Sequence, residues 1–152
     1  MGRVTATIDL AYPVDLVYRV ATRVPDMPRW MPEVAGAELL DPTLGAGSRV
    51  LLRLGPGTGN AEITGTVKRI QPPTLLELAG SGGPLTIKVR VLLAAQGPSA
   101  TRATVELEVG TPPFLGFIGK EVERRVQAEL PAALERLEAL LAAEPDAAPV
   151  AG

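Results

Sequence analysis

The spacing of apolar residues changes along the chain, and each change marks a different kind of element. In the stretch "RVTATIDL" (3–10), apolar and polar residues alternate, which predicts a strand with one buried face. The spacing lengthens in "YPVDLVYRVATRV" (12–24), where Pro13 suits a first helical turn, so a short helix is predicted that ends before Pro25. A second short helical turn is predicted around residues 27–31.

From Val34 to Val109 the pattern predicts one strand after another, each ended by glycine or proline. The clearest alternation occurs in "LTIKVRVL" (85–92) and "RATVELEV" (102–109), where every second residue is apolar. Strands with one apolar and one polar face are typical of an antiparallel sheet that is covered on a single side. The predicted strands lie near residues 35–41, 47–54, 60–70, 74–79, 84–95 and 101–110.

The element that covers this sheet is predicted at the end of the chain, where apolar residues recur at spacings of three and four over residues 114–144. This pattern is typical of a long helix with one apolar face. Pro131 lies inside it, and because proline removes an amide donor, a kink or a restart is predicted near 127–131. The last residues, "PDAAPVAG" (145–152), are predicted to form a disordered tail.

The order of these elements predicts an α+β fold with a single domain over residues 1–144. A curved seven-stranded antiparallel sheet surrounds the long C-terminal helix, and two short helices follow the first strand. Hydrophobic residues make up 46% of the chain but aromatic residues only 3%, so the interior is built from aliphatic side chains. One helix with so few large side chains beside it cannot fill a strongly curved sheet, and we therefore expect an internal apolar cavity.

The composition excludes several kinds of chemistry. The chain contains no cysteine and no histidine, so it has neither a thiol nor an imidazole for catalysis, and no metal ion and no cofactor are expected. Any acid–base chemistry would use a carboxylate, Tyr12, Tyr18 or a lysine whose pKa is shifted by burial. The absence of histidine lowers the expectation that the protein is an enzyme.

The charge and hydropathy patterns bear on partners and location. The formal net charge is −2 and no long run of basic residues is present, which argues against nucleic-acid binding. No apolar segment is long enough for a membrane span or a signal peptide, so we expect no integral membrane segment and a cytoplasmic location. The chain is expected to be a monomer or a homodimer.

The only tryptophan lies in a proline-rich stretch, "RVPDMPRWMPEV" (23–34), which contains three prolines. Proline fixes the backbone and removes an amide donor, so this stretch forms neither a long helix nor a central strand. Two interpretations of Trp30 are open. It either fills the edge of the core or covers a cavity, and in the second case it is a ligand-binding residue.

Five stretches are similar to a known family: "AYPVDLVYRVATRVPDMPRWMPEV" (11–34), "GSRV" (47–50), "VKRIQPPTLLEL" (67–78), "TRATVELEV" (101–109) and "GKEVERRVQAEL" (119–130). In this order and spacing they resemble the START-like superfamily, also called SRPBCC or Bet v 1-like. The resemblance implies a helix-grip fold, in which a seven-stranded sheet around a long helix encloses an apolar ligand cavity. Its branches include lipid carriers, polyketide aromatases/cyclases, coenzyme Q-binding proteins and Hsp90 co-chaperones.

The pattern and the resemblance together predict the residues of a ligand site. The resemblance implies that the start of the final helix lies near the cavity mouth, so that its aromatic residues frame the entrance with Trp30. The residues predicted to line the cavity or its mouth are Trp30, Met31, Leu52, Leu54, Ile63, Val67, Leu76, Leu78, Ile87, Val89, Val91, Val105, Leu107, Phe114, Phe117, Ile118, Val122 and Val126.

Charged residues on the predicted strands are candidate polar anchors, namely Arg49, Arg53 and Glu62. An inward-facing arginine would bind a carboxylate or phosphate head group. An inward-facing Glu62 or Glu77 would have a raised pKa and could serve as a general acid. The alternative is that these residues form a solvated row on the outer face of the sheet.

The function that these observations favour is the binding, transport or sensing of a small hydrophobic ligand, such as a lipid, an isoprenoid or a polyketide-like molecule. Two alternatives stay open. One is a polyketide aromatase/cyclase-like enzyme that uses a carboxylate, a tyrosine or an arginine, and the other is a co-chaperone-like interaction module. A carboxylate or tyrosine directed into the cavity would favour the enzyme, and a filled interior would favour the module.

Overall fold

The computed structural model describes residues 2–56 and 59–144, so the predicted tail of residues 145–152 lies outside the described residues. In chain order the elements are β1 (Gly2–Leu10), α1 (Val14–Ala21), a 3₁₀ helix (Val24–Arg29), β2 (Val34–Leu39), β3 (Arg49–Leu54), β4 (Glu62–Gln71), β5 (Leu75–Gly82), β6 (Leu85–Ala95), β7 (Thr101–Gly110), a 3₁₀ turn (Pro113–Leu115) and α2 (Gly116–Ala143).

The seven strands form one sheet in the order β1-β7-β6-β5-β4-β3-β2, and every neighbouring pair is antiparallel. The two strands that flank the short helices, β1 and β2, are therefore the two edges of the sheet. The sheet curls into a half-barrel around the long helix α2. The predicted fold class is confirmed, and each predicted strand is found within a few residues of its expected position.

The long helix continues through its proline. α2 is one helix of 28 residues with Pro131 in its interior, so of the predicted kink or restart near 127–131 the restart is wrong, and the kink stays a prediction. Pro131 itself is exposed, whereas Leu130 and Leu134 on either side of it are almost completely buried. We attribute the unbroken helix to this packing, because the buried leucines hold the chain in a helical path although one amide donor is lost.

The apolar stripe of α2 joins the helix to the concave face of the sheet. α2 packs against β1, β7 and α1. Each buried aliphatic residue of the stripe has another one three or four positions away, which is the pattern of one helix face. They are Val122, Val126, Leu130, Ala133, Leu134, Leu137 and Leu141.

The curvature of the sheet depends on bulges and on glycines in β5. The pairing register shifts between Val34 and Gly36 in β2 and between Val67 and Arg69 in β4, and such bulges bend a strand. A Cβ atom at Gly82 would overlap the carbonyl oxygen of Glu62 in β4. Glycine therefore lets the β4 and β5 backbones approach closely where the sheet turns inward.

Replacing Gly82 with alanine should destabilise the fold, because the new Cβ atom has no room beside β4. Overpacking of this kind lowers the free energy of unfolding by about 1–3 kcal/mol. Chemical denaturation measures the change. The matched control is Gly45→Ala, since a Cβ atom at Gly45 meets no atom within 4 Å. Equal stabilities for the two variants would contradict this account of the curvature.

Candidate functional site

A small apolar cavity lies between α2 and the concave face of the sheet, with a volume of about 40 Å³. Three parts of the chain form its walls: the segment between the 3₁₀ helix and β2, the inward side chains of β3, β6 and β7, and two valines of α2. The residues that line it are Met31, Pro32, Glu33, Val34, Leu52, Leu54, Ile87, Lys88, Val89, Leu107, Glu108, Val109, Val122 and Val126.

In this conformation the cavity is too small for a drug-sized ligand. Pockets for drug-sized ligands measure about 300–1,000 Å³, whereas this cavity measures about 40 Å³. Leucine and valine side chains fill most of the concave face, so the predicted cavity is present but narrow. A lipid-sized ligand therefore requires the walls to move apart.

A larger groove of about 420 Å³ opens to solvent beside the first turns of α2. One side is formed by the β3–β4 connection and the β5–β6 turn, and the other by the helix. Its lining residues are Gly59, Ala61, Pro84, Leu85, Phe117, Ile118, Glu121 and Val122. Val122 also lines the cavity, so its side chain is a wall that the groove and the cavity share.

The two phenylalanines of the chain are both exposed at the same end of the molecule. Phe114 lies in the 3₁₀ turn before α2 and is 78% exposed, and Phe117 borders the groove and is 70% exposed. Large apolar side chains that are exposed next to an apolar groove are typical of a binding surface. The sequence places these residues at a mouth, and the structure places Phe117 and Ile118 at the groove.

Apart from Trp30, Phe114, Phe117 and Ile118, the predicted lining residues fall into two groups. The first group lines the cavity: Met31, Leu52, Leu54, Ile87, Val89, Leu107, Val122 and Val126. The second group is buried in the core and touches neither the cavity nor the groove: Ile63, Val67, Leu76, Leu78, Val91 and Val105. Sequence alternation identifies the inward face of each strand, but it does not tell which inward residues meet empty space.

Trp30 belongs to the core and does not cover the cavity. Its exposed fraction is 0%, and it does not line the cavity. Arg136 of α2 donates a hydrogen bond from Nη2 to the carbonyl oxygen of Trp30 at 3.1 Å. The interpretation of Trp30 as a mouth residue is therefore wrong, because the 3₁₀ helix before it turns the indole inward against the buried core.

The charged residues of β3 and β4 face solvent. Arg49 is 60% exposed and pairs with Asp41 at 3.2 Å, while Arg53 is 51% exposed and pairs with Glu62 at 3.5 Å. Glu77 pairs with Arg90 at 3.0 Å. Because Val50, Leu52 and Leu54 occupy the inward positions of β3, the alternation directs Arg49 and Arg53 outward, and Glu62 of β4, opposite Arg53, faces the same way. As polar anchors inside the cavity, these three residues are excluded.

Glu33 is a charged residue of the cavity that sequence reasoning did not select. Its side chain is 12% exposed, and its Oε1 atom is buried without a hydrogen-bond partner among the described residues. The Nη1 atom of Arg125 lies 3.9 Å from that oxygen. Burial raises the pKa of the Glu33 carboxyl, the negative charge of Glu129 raises it further, and Arg125 opposes both.

The backbone holds Glu33 at the cavity wall. The residue adopts a left-handed conformation with φ of 59°, and its carbonyl oxygen accepts a hydrogen bond from the amide of Gly55 at 3.0 Å. This bond ties the segment before β2 to the end of β3. The only sequence signal was a glutamate directly after the last proline of the 23–34 stretch, which by itself is typical of an exposed loop.

Within residues 2–56 and 59–144, no cluster of acidic residues has a geometry that could hold a metal ion. In the same part of the chain, no helix is both long and apolar enough to cross a membrane.

The half-barrel, the long helix and the apolar cavity between them define a START-like protein of the helix-grip class. The sequence matches the family described as polyketide cyclase/dehydrase and lipid transport over residues 1–142. The chain belongs to this family, and the predicted resemblance is confirmed. No curated protein matches the chain in sequence.

Solved structures share the fold at low sequence identity. The protein TTHA0849 from Thermus thermophilus superposes with a TM-score of 0.75 at 20% identity, over 94% of this chain and 99% of that one. The Zhui aromatase/cyclase from Streptomyces sp. R1128 superposes with a TM-score of 0.70 at 18% identity, over 90% of this chain and 93% of that one. A START superfamily protein from Mycobacterium smegmatis superposes with a TM-score of 0.68 at 20% identity, over 91% of this chain and 98% of that one. These similarities show the fold.

Replacing Glu33 with glutamine should remove a pH dependence of stability. Because the folded chain raises the pKa of this carboxyl, the protonated form favours folding at low pH, and that contribution is lost as the pH rises through the raised pKa. The stability of the wild type relative to Glu33→Gln should therefore fall as the pH rises above the usual range of a glutamate pKa, which urea unfolding measures.

The control for this measurement is Glu62→Gln, which changes a carboxylate that is 63% exposed on the outer face. Its profile should run parallel to that of the wild type. A Glu33→Gln profile that also ran parallel would contradict the burial of this carboxyl.

Proposed function

We propose that the protein binds a small hydrophobic ligand between α2 and the concave face of the sheet. The observation that carries this proposal is that an inner apolar cavity and an outer apolar groove lie side by side and share Val122 as a wall. Family membership supports it, since the family is described by polyketide cyclisation and lipid transport. Transport or sensing of a lipid, an isoprenoid or a polyketide-like molecule is the role that we infer for such binding.

The two halves of α2 are held to the rest of the molecule to different extents. The second half buries four leucines, each of which contributes about 1.5–3 kcal/mol. They are Leu130, Leu134, Leu137 and Leu141. At its end, Glu144 accepts a hydrogen bond from Nη2 of Arg23 at 3.1 Å. The first half buries the smaller Val122 and Val126.

The first half of α2 is therefore the wall that moves outward when a ligand enters. This movement would join the groove to the cavity and provide the volume that the closed cavity lacks. The movement would also expose little apolar surface to water. Only two valines lose their contacts, and contacts with the apolar ligand take the place of the lost ones.

Aliphatic walls set the expected strength of binding. Burying one methylene group contributes about 0.8 kcal/mol, so an eight-carbon chain gains roughly 6 kcal/mol before the costs of ordering. Those costs remove several kcal/mol, which leaves binding at about micromolar strength or weaker. Such a site distinguishes ligands mainly by length and volume.

Replacing Val122 with phenylalanine should block the site, because the larger ring fills the cavity and enlarges the wall that the cavity shares with the groove. With 1-octanol as the probe, we expect the affinity to fall by about tenfold or more, on the order of 1.4 kcal/mol. Calorimetry and the ligand-induced rise in melting temperature measure the effect.

The matched control is Ala132→Phe, which adds the same ring at an exposed position of α2. This variant should bind 1-octanol like the wild type. Unchanged affinity in Val122→Phe would contradict the location of the site. If the wild type binds neither 1-octanol nor longer alcohols, the proposed function is wrong.

A cyclase-like enzyme is the second candidate, and Glu33 is the observation that favours it. A carboxyl that lines an apolar cavity and has a raised pKa can donate a proton to a carbonyl oxygen and so polarise it for attack. Conversion of a linear polyketone into a cyclic product, followed by chromatography, tests this role. The product should form with the wild type and be lost with Glu33→Gln.

A further inference from the structure

Several unfavourable features coincide at Glu33. A residue other than glycine with a φ of 59° is strained by about 1 kcal/mol or more. A buried carboxylate oxygen without a hydrogen bond is costly as well, and Glu129 adds the repulsion of a like charge. Strain and unpaired polar groups persist together mainly where a site requires them. Their coincidence at a cavity wall points to a ligand-binding role.

The nearest cation does not satisfy this carboxylate. Nη1 of Arg125 lies 3.9 Å from Oε1 of Glu33, which is too long for a hydrogen bond. Arg125 is 45% exposed and also pairs with Glu121 at 3.5 Å. It therefore weakens the negative potential around Glu33 but leaves Oε1 free to accept a hydrogen bond from another group.

The other charged residues at the cavity are turned away from it. Lys88 and Glu108 border the cavity, but they are opposite each other on β6 and β7 and lie between inward-facing neighbours, so their side chains point to the outer face of the sheet. Their neighbours Ile87, Val89 and Leu107 line the cavity wall. Among the described residues that line the cavity, Glu33 is thus the charged residue that does not lie on the outer face of the sheet.

We propose that Glu33 is the polar anchor of the cavity and that its Oε1 atom accepts a hydrogen bond from a hydroxyl or N–H group of an otherwise apolar ligand. The ligand class is therefore an amphiphile with a hydrogen-bond donor, such as a fatty or isoprenoid alcohol. A ligand whose polar group only accepts hydrogen bonds leaves the carboxylate unsatisfied. This inference rests on the proposed function and specifies the ligand of the same site.

Two isomers test the proposal, 1-octanol and heptyl methyl ether. They have the same atoms and nearly the same length, but only the alcohol donates a hydrogen bond. A hydrogen bond to a charged acceptor strengthens binding by about tenfold or more, so we expect the wild type to bind 1-octanol tighter by that factor at alkaline pH, where the carboxyl is ionised. Calorimetric titration with each isomer gives the ratio of the two affinities.

Replacing Glu33 with methionine keeps the volume of the side chain and removes the acceptor. The ratio of affinities should then fall to about one, because both isomers keep their apolar contacts. The control Glu62→Met removes an exposed carboxylate from the outer face and should keep the wild-type ratio. If Glu33→Met retains the full preference for 1-octanol, Glu33 is not the anchor.

A second variant tests the charge and keeps the proposal testable if Glu33→Met does not fold. In the wild type the preference for 1-octanol should decline at acid pH, since protonation removes one acceptor and adds a donor. The charged groups that face Glu33 are Arg125 and Glu129 of α2. Glu33→Gln keeps an acceptor oxygen that does not titrate, so its ratio should stay above one and be independent of pH.

The outcomes separate this inference from the proposed function. Equal binding of the two isomers by the wild type would overturn the anchor but support an apolar site. If the ratio of affinities in Glu33→Gln declines at acid pH as in the wild type, the anchor is also overturned, because another group then controls the preference for 1-octanol. Binding of neither isomer would overturn both the anchor and the proposed function.

Discussion

The contact between the aliphatic stripe of α2 and the curled sheet is the interaction on which the rest of the structure depends. It is the hydrophobic contact that closes the concave face, and it is uneven along the helix. Leucines hold the second half, whereas valines hold the first half, beside the cavity. The same interaction thus stabilises the fold at one end of the helix and permits a ligand site at the other.

The sequence predicts the fold well because strand alternation and helix periodicity are local properties. The alternation in β6 and β7 identifies both the strands and their buried faces, and glycines and prolines mark the turns. Pro131 is the exception. Its local preference to end a helix is overridden by the packing of the buried Leu130 and Leu134 on either side of it. Such tertiary packing is not visible in a window of neighbouring residues.

The residues around the cavity were predicted less completely, for physical reasons that Trp30 and Glu33 illustrate. Both lie in the same proline-rich stretch, whose irregular backbone has no periodicity from which to infer direction. The 3₁₀ helix turns the apolar residue into the core, and the left-handed backbone at Glu33 keeps the acidic residue at the cavity wall. Whether an inward residue meets empty space or another side chain depends on contacts between distant elements.

The complete enclosure of Trp30 has a consequence for spectroscopy. Trp30 is the only tryptophan of the chain and is completely buried. The wavelength of its fluorescence emission therefore depends on whether water reaches the interior. Because the ring does not border the cavity, a molecule inside the cavity would not contact this fluorophore. Its intrinsic signal is therefore a clean reporter of global unfolding, and occupancy has to be followed by another probe.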